Sequence, residues 1–145
     1  ADVPCRCGNR GCLEAIASGP AIARQLRERG VEVVDGRGVL ELVRAGNVEA
    51  IQAVRQAGRD IGEVPTAAVS FINPSVIALG GSMAQAGEHL IVGVREVIYS
   101  RSMPLATEHL TIAPSAAGPR AAVIGASVLA IEHALAPENL ALVTG

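Results

Sequence analysis

At 145 residues, half of them hydrophobic, the chain is long enough for about one domain with a real core, and this composition excludes a disordered tail. The formal charge is -2 and every basic residue is an arginine, scattered from Arg6 to Arg120, so no basic face is available for nucleic acid. No apolar run approaches the roughly 18 residues of a membrane span and no signal-peptide order appears, so no membrane partner and a cytoplasmic location are expected.

In chain order, the first feature is "PCRCGNRGCLEA", residues 4–15, which holds the only three cysteines. Three is odd, and Cys5 and Cys7 stand one residue apart, too close for an easy bridge, so a disulfide framework is not expected. Cys-x-Cys-x4-Cys with Gly8 and Gly11 in the loop instead reads as a knuckle whose thiolates converge on one soft, tetrahedral ion such as zinc. The same residues also read as three reduced thiols with no ligand. Under the metal reading a fourth ligand is wanting. His89, His109 and His133 each read as surface or helix-end residues, so that ligand is expected upstream of Ala1.

"CLEAIASGPAIARQLRERG" reads as helix with a break at Gly19-Pro20, and "VEVV" (31–34) is ambiguous. "GVLELVRAG" predicts a helix stopped by Gly46. Asn47 is then the expected N-cap of a long helix over residues 47–72, with Val48, Ile51, Val54, Ile61 and Val69 at helical spacing and a kink at Pro65. The apolar run Val76 to Leu79 suits a strand of a sheet covered on both faces. "AGEHLIVGVREVIYSRS" predicts a helix, "HLTIAPS" a second strand, and "PRAAVIGASVLAIEHAL" a final helix rich in small residues. Only Phe71 and Tyr99 are aromatic, so the core must be built from Ala, Val, Ile and Leu. This alternation of helix and strand places the chain in the α/β class.

Gly80 and Gly81 follow the first strand, at the end of a strand where ligands sit in open α/β sheets. A glycine pair there either lets a ligand approach the backbone or simply makes a tight turn. The spacing is not that of a P-loop, since no Lys follows.

Together these segments resemble the ROK family of repressors, open reading frames and sugar kinases. "CRCGNRGCLE" is similar to its Cys-x-Cys-Gly-x-x-Gly-Cys-x-Glu signature, "INPSVIALGGSM" to its strand and glycine segment, and "AAVIGASVLA" to its last helix, so the resemblance covers essentially the whole chain. It implies an actin-like, hexokinase-type (ribonuclease H-like) ATPase fold of two lobes with a sugar in the cleft. Residues 1–145 would form the C-terminal lobe only, with the zinc knuckle at 1–14 and a tail at 136–145. The family's Asp-Gly-x-Thr phosphate loop, its catalytic Asp and the histidine that completes its zinc site have no counterpart in this sequence. No catalytic residue is therefore expected here, and by itself the chain is expected to be inactive.

Carried onto this sequence, the resemblance makes Cys5, Cys7 and Cys12 ligands of a structural zinc and Glu14 an acceptor for sugar hydroxyls. Glu14 also reads as an acid at a helix start, stabilised by the dipole. Gly80 and Gly81 match glycines that face the nucleotide in the kinases, so ATP enters only if the intact protein is one. The resemblance leaves two functions. One is a sugar-responsive transcriptional regulator, which would reach DNA through a domain upstream of Ala1; the other is an ATP-dependent sugar kinase of the glucokinase or fructokinase type. The knuckle sequence and the extended tail lean towards the regulator, with a sugar or sugar phosphate as ligand and a homodimer as the assembly.

Overall fold

A cysteine starts the first helix without capping it, and a serine caps the second. In the computed structural model, which describes residues 2–140, α1 (Leu13–Ala17) begins after Cys12, whose side chain makes no capping bond. Ser18 ends α1 and caps α2 (Gly19–Glu28), accepting from the Ala21 amide with Pro20 in the first turn, so the expected break falls there. Side chains of α2 then cap α1: Arg24 Nη2 donates to the Ala15 carbonyl and Gln25 Nε2 to the Ile16 carbonyl, each at 2.9 Å. "VEVV" forms neither helix nor strand, and Arg27 Nη1 fastens it through the Val33 and Val34 carbonyls at 2.9 and 3.0 Å. α3 (Gly36–Arg44) starts two residues before the expected segment because Asp35 accepts from the amides of Arg37 and Gly38.

Asn47 caps α4 (Val48–Ile72) as expected, accepting from the Ala50 amide. The helix runs for 25 residues with Pro65 inside it. Its buried face is smaller than the aliphatic spacing suggested. Ala50, Ala53, Val54, Ala57, Gly58, Gly62 and Val69 are buried, whereas Val48 is exposed. β1 (Val76–Leu79) and β2 (Thr111–Pro114) pair in parallel, Val76 opposite Thr111 and Leu79 opposite Pro114, joined through a 3-10 turn (Ser82–Ala86), α5 (Glu88–Arg101) and the one-turn α6 (Pro104–Thr107). The expectation of a strand covered on both faces is not met. In β1, Ile77 and Leu79 are half-buried while Val76 and Ala78 are exposed.

The chain divides into two compact units, residues 1–115 and 116–145. In the first, one cluster joins Ile22, Leu26, Val39, Ala53, Val54 and Leu90, and a second joins Val69, Ile91, Val94, Ile98, Leu110 and Ile112. The second unit holds α7 (Ala121–Ala134) and the one-turn α8 (Pro137–Leu140), and Val123, Leu129 and Ile131 of α7 are exposed. The tail expected at 136–145 lies partly outside the described residues. Among the described residues no helix is long and apolar enough to cross a membrane.

α4 and α5 touch backbone to backbone. A Cβ on Gly93 would stand 2.1 Å from the Arg55 carbonyl oxygen, and one on Gly58 would stand 2.3 Å from the Leu90 carbonyl oxygen. Gly to Ala in a helix interior ordinarily stabilises by about 0.5–1 kcal/mol, but overpacking a backbone contact costs about 1–3 kcal/mol. Steric exclusion therefore wins, and Gly93→Ala is expected to lower the denaturation midpoint; a midpoint that rises would refute the contact. Across the same helix pair, Glu96 receives Arg55 and, at 2.7 Å, Arg59. These guanidiniums, Arg55 foremost, hold the Glu96 carboxyl below its ordinary value of 4.5. Because the folded value is the lower one, the stabilisation is present above about pH 4.5 and is lost as pH falls through the depressed value. Thermal unfolding of Glu96→Gln should accordingly depend less on pH than wild type in that acidic window, and superimposable profiles would remove the pair from the stability argument.

Candidate metal knuckle and adjoining cavity

Two glycines and a set of backbone bonds shape the loop that carries the cysteines. Pro4 and Arg10 form an isolated antiparallel bridge, the Cys5 amide donates to the Asn9 carbonyl at 2.8 Å, and the Gly11 amide donates to the Val3 carbonyl at 2.8 Å. Gly8 (φ +91°) and Gly11 (φ +69°) occupy left-handed backbone that residues with a Cβ rarely adopt. Arg10 closes the base of the loop, donating to the Asp2 carbonyl at 2.9 Å and pairing with its carboxylate. The curl brings the three cysteines together: their Sγ atoms all lie within 4.8 Å of one another. Cys5 and Cys12 are half-buried, and Cys7 is exposed.

Donor type and spacing fit a thiophilic ion. The Cys7 and Cys12 sulfurs are 3.6 Å apart. A tetrahedral ion with metal–sulfur bonds of about 2.3 Å sets its ligands about 3.8 Å apart. Cys12 sits at the N-cap of α1 with its thiol uninvolved in capping, so it is free to serve as a ligand. The Asn9 backbone amide first, then the Cys5 and Cys12 thiols, hold Cys7 below the ordinary thiol value, while hydrogen bonding with Cys7 and then Cys5 pushes Cys12 up to about 11. Three close thiols can therefore hold a metal ion, and among the described residues none of the histidines joins them.

The fold sets Glu14 on the exposed side of α1, two residues beyond Cys12, where it lines a cavity of about 300 Å³ together with Cys5. That cavity also takes Arg6 from the loop and Arg24 and Arg27 from α2. Sequence reasoning passed over these arginines, since Arg24 and Arg27 stand three apart near a helix end and read as ordinary helix-end charges. Their i, i+3 spacing on one helix face was the available signal. A larger cavity, about 460 Å³ along α3, is lined by none of the expected site residues.

Gly80 and Gly81 lie exposed between β1 and the 3-10 turn. Gly81 has φ +90°, which accounts for a glycine there as a turn residue. Gly80 has ordinary backbone, and a Cβ on it would stand no nearer than 4.0 Å to the Ser115 Cβ, so packing does not require it. No nearby lysine, and no metal cluster besides the cysteines, accompanies the pair among the described residues.

The family model described as ROK family matches residues 1–133. A xylose repressor from Bacillus spizizenii is 29% identical over 90% of this chain and 34% of its own length. A glucokinase from Thermotoga maritima is 28% identical over 89% of this chain and 45% of its own length. Among solved structures, a ROK family transcriptional regulator homologous to the Escherichia coli MLC protein superposes with a TM-score of 0.68 at 28% identity, covering 76% of this chain and 30% of that one. The chain thus spans less than half the length of the curated relatives it matches. The fold class expected from the sequence holds: the mixed helices and small parallel sheet are part of a lobe of the actin-like ATPase fold.

The geometry at the cysteines makes a direct prediction. Titrating the reduced protein with cobalt(II) should produce the intense near-ultraviolet thiolate-to-metal absorption, and Cys5→Ser, Cys7→Ser or Cys12→Ser should each weaken binding about tenfold or more. A cobalt spectrum without thiolate absorption would show that the three sulfurs do not act together.

Proposed function

Since the chain belongs to the ROK family, we propose that it is the C-terminal, effector-binding and dimerising part of a sugar-responsive transcriptional regulator of carbohydrate metabolism. Residues 1–145 then correspond to the C-terminal lobe, and the N-terminal lobe and a DNA-binding domain belong to the remainder of a longer cytoplasmic protein. The observation that carries the reading is Glu14, fixed two residues after a thiol of the knuckle and opening onto the cavity beside it. A carboxylate held this way accepts hydrogen bonds from two adjacent sugar hydroxyls, and each such bond to a charged group contributes about 1.5–3 kcal/mol.

Cys5, Cys7 and Cys12 would hold zinc, with a fourth ligand from outside this chain. Zinc bound by four protein ligands has no open position for water chemistry and acts as a structural clamp. It would fix the start of α1, and with it the direction of Glu14. Exposed apolar side chains support further contact with the missing lobe or a second copy. In the first unit Phe71 and Leu105 are 88% and 80% exposed, and such surface is ordinarily covered in a working assembly.

The kinase reading has its own support in the similarity to the Thermotoga maritima glucokinase. On that reading Gly80 and Gly81 face ATP and a catalytic Asp upstream activates the sugar hydroxyl. On the regulator reading Gly81 is a turn residue and sugar binding biases the dimer between DNA-bound and released forms.

One experiment tests both. The intact protein is assayed for sugar-dependent release from the DNA upstream of its own gene, and for ATP-dependent phosphorylation of the same sugars. Release without turnover is expected; turnover would transfer the assignment to the kinase. In either assay Glu14→Gln should weaken sugar binding by about tenfold to a hundredfold, and an unchanged affinity would take Glu14 out of the site.

A further inference from the structure

The knuckle lies open to solutes on one side. Residues 6–11 are all exposed, so small molecules reach the Cys7 thiol directly and the turn can shift without disturbing the core. The Cys7 and Cys12 sulfurs stand 3.6 Å apart, in van der Waals contact. A disulfide needs them to close to about 2 Å. The backbone between them permits that movement. Gly8 and Gly11 are the end residues of the intervening span, and a Cβ on Gly8 would meet nothing within 4 Å. Cys7 makes no backbone-to-backbone hydrogen bond among the described residues.

Cys5 is placed differently. Its amide donates to the Asn9 carbonyl at 2.8 Å and its carbonyl accepts from the Gly8 amide at 3.1 Å, so its backbone is held on both sides. Only one residue separates it from Cys7. Its sulfur lies within 4.8 Å of the other two, which suits a shared ion, while the mobile, exposed Cys7 and its neighbour Cys12 suit a covalent bond. The two uses exclude each other, because the thiolate is the metal ligand and a disulfide leaves only Cys5 in that form.

We propose that Cys7 and Cys12 form a reversible disulfide on reaction with hydrogen peroxide, and that this bond releases the metal ion from the knuckle. The proposal rests on the metal-binding reading of the three thiols and adds a modification that controls it. Cys7, the exposed thiol, reacts first. Its sulfur attacks the peroxide, an S–O bond forms as the O–O bond breaks, and one water leaves. Cys12 then attacks the sulfenic sulfur, the S–S bond forms, the S–O bond breaks and a second water leaves. Two thiols are oxidised, one peroxide is reduced, and both thiol protons end in the waters. Cys12 directly precedes α1, so loss of the ion is felt at the start of the helix that carries Glu14. In a reducing compartment such a bond is transient, as a sensing disulfide has to be.

The test exposes the intact, zinc-loaded protein to hydrogen peroxide beside a zinc-binding dye, then quenches with acid, alkylates and digests with trypsin. Arginines at positions 6, 10 and 24 place Cys7 in the peptide 7–10 and Cys12 in the peptide 11–24, apart from Cys5. Expected are transfer of the zinc to the dye, those two peptides linked and two hydrogens lighter than their sum, and an alkylated Cys5. Dithiothreitol with added zinc should restore all three thiols and the metal. Metal-free Cys5→Ser should still form the link. A protein that keeps its zinc and three alkylatable thiols would overturn the proposal and leave the metal site standing. Release of zinc with the cysteines carried on to sulfinic or sulfonic acids, which dithiothreitol does not reverse, would overturn the switch. A link from Cys5 to Cys12 would overturn the pair. A reduced protein that takes up no zinc would bring down the metal reading and the proposed release together.

Discussion

The close approach of α4 and α5 is the contact on which the rest of the first unit depends. Gly58 and Gly93 let the two helix backbones meet with no side chain between them. A chain with two aromatic residues cannot fill wide gaps between helices, so its core gains cohesion by bringing elements close and packing small side chains densely. α4 is long enough to serve both ends of the unit. Its first half, through Ala50, Ala53 and Val54, closes the cluster beneath α1, α2 and α3, which carry the knuckle's neighbours. Val69 near its other end joins the cluster under the sheet with Ile91, Val94 and Ile112. Separating α4 from α5 would loosen the floor under the cavity and the support of β2 at once.

A second contact of the same kind sits nearer the site. A Cβ on Gly36 would stand 2.9 Å from the Gly19 Cα, and one on Gly19 would stand 3.2 Å from the Met83 Sδ. Gly19 is the first residue of α2, next to Ser18 and Pro20 on the cavity wall. Met83 follows Gly81 by two residues in the 3-10 turn. The start of α2, the start of α3 and the turn after the glycine pair therefore share one tightly filled point, and the cavity and the strand-end glycines belong to a single packed scaffold.

Local signals in the sequence are legible where their partners are local. Asn47 caps α4 because its side chain needs only the amide three residues on. The thiols converge because Gly8 and Gly11 turn the backbone within a loop of a dozen residues. Apart from the start of α3, set by Asp35 on the amides just after it, the misses involve partners distant in sequence. Gly58, Gly62 and Gly93 look like weak points in helices until the opposing backbone is seen, and then they are the positions that admit it. Val76 to Leu79 is uniformly apolar and so reads as covered on both faces, yet among the described residues only one face of β1 is partly buried. Arg6, Arg24 and Arg27 lie on two separate elements, and while the i, i+3 spacing of Arg24 and Arg27 is legible, their sharing a cavity with Arg6 of the knuckle loop is not.

The cavity beside the knuckle is lined by charges of both signs. Three thiolates around one divalent ion would keep a single negative charge, and Glu14 adds another on the same side. Left alone, that field would repel any anion. Arg24 and Arg27 of α2 line the same cavity, Arg27 held on two neutral carbonyls and Arg24 paired with Glu28. Arg6, between two of the thiols in sequence, places a positive group at the boundary between the knuckle and the cavity.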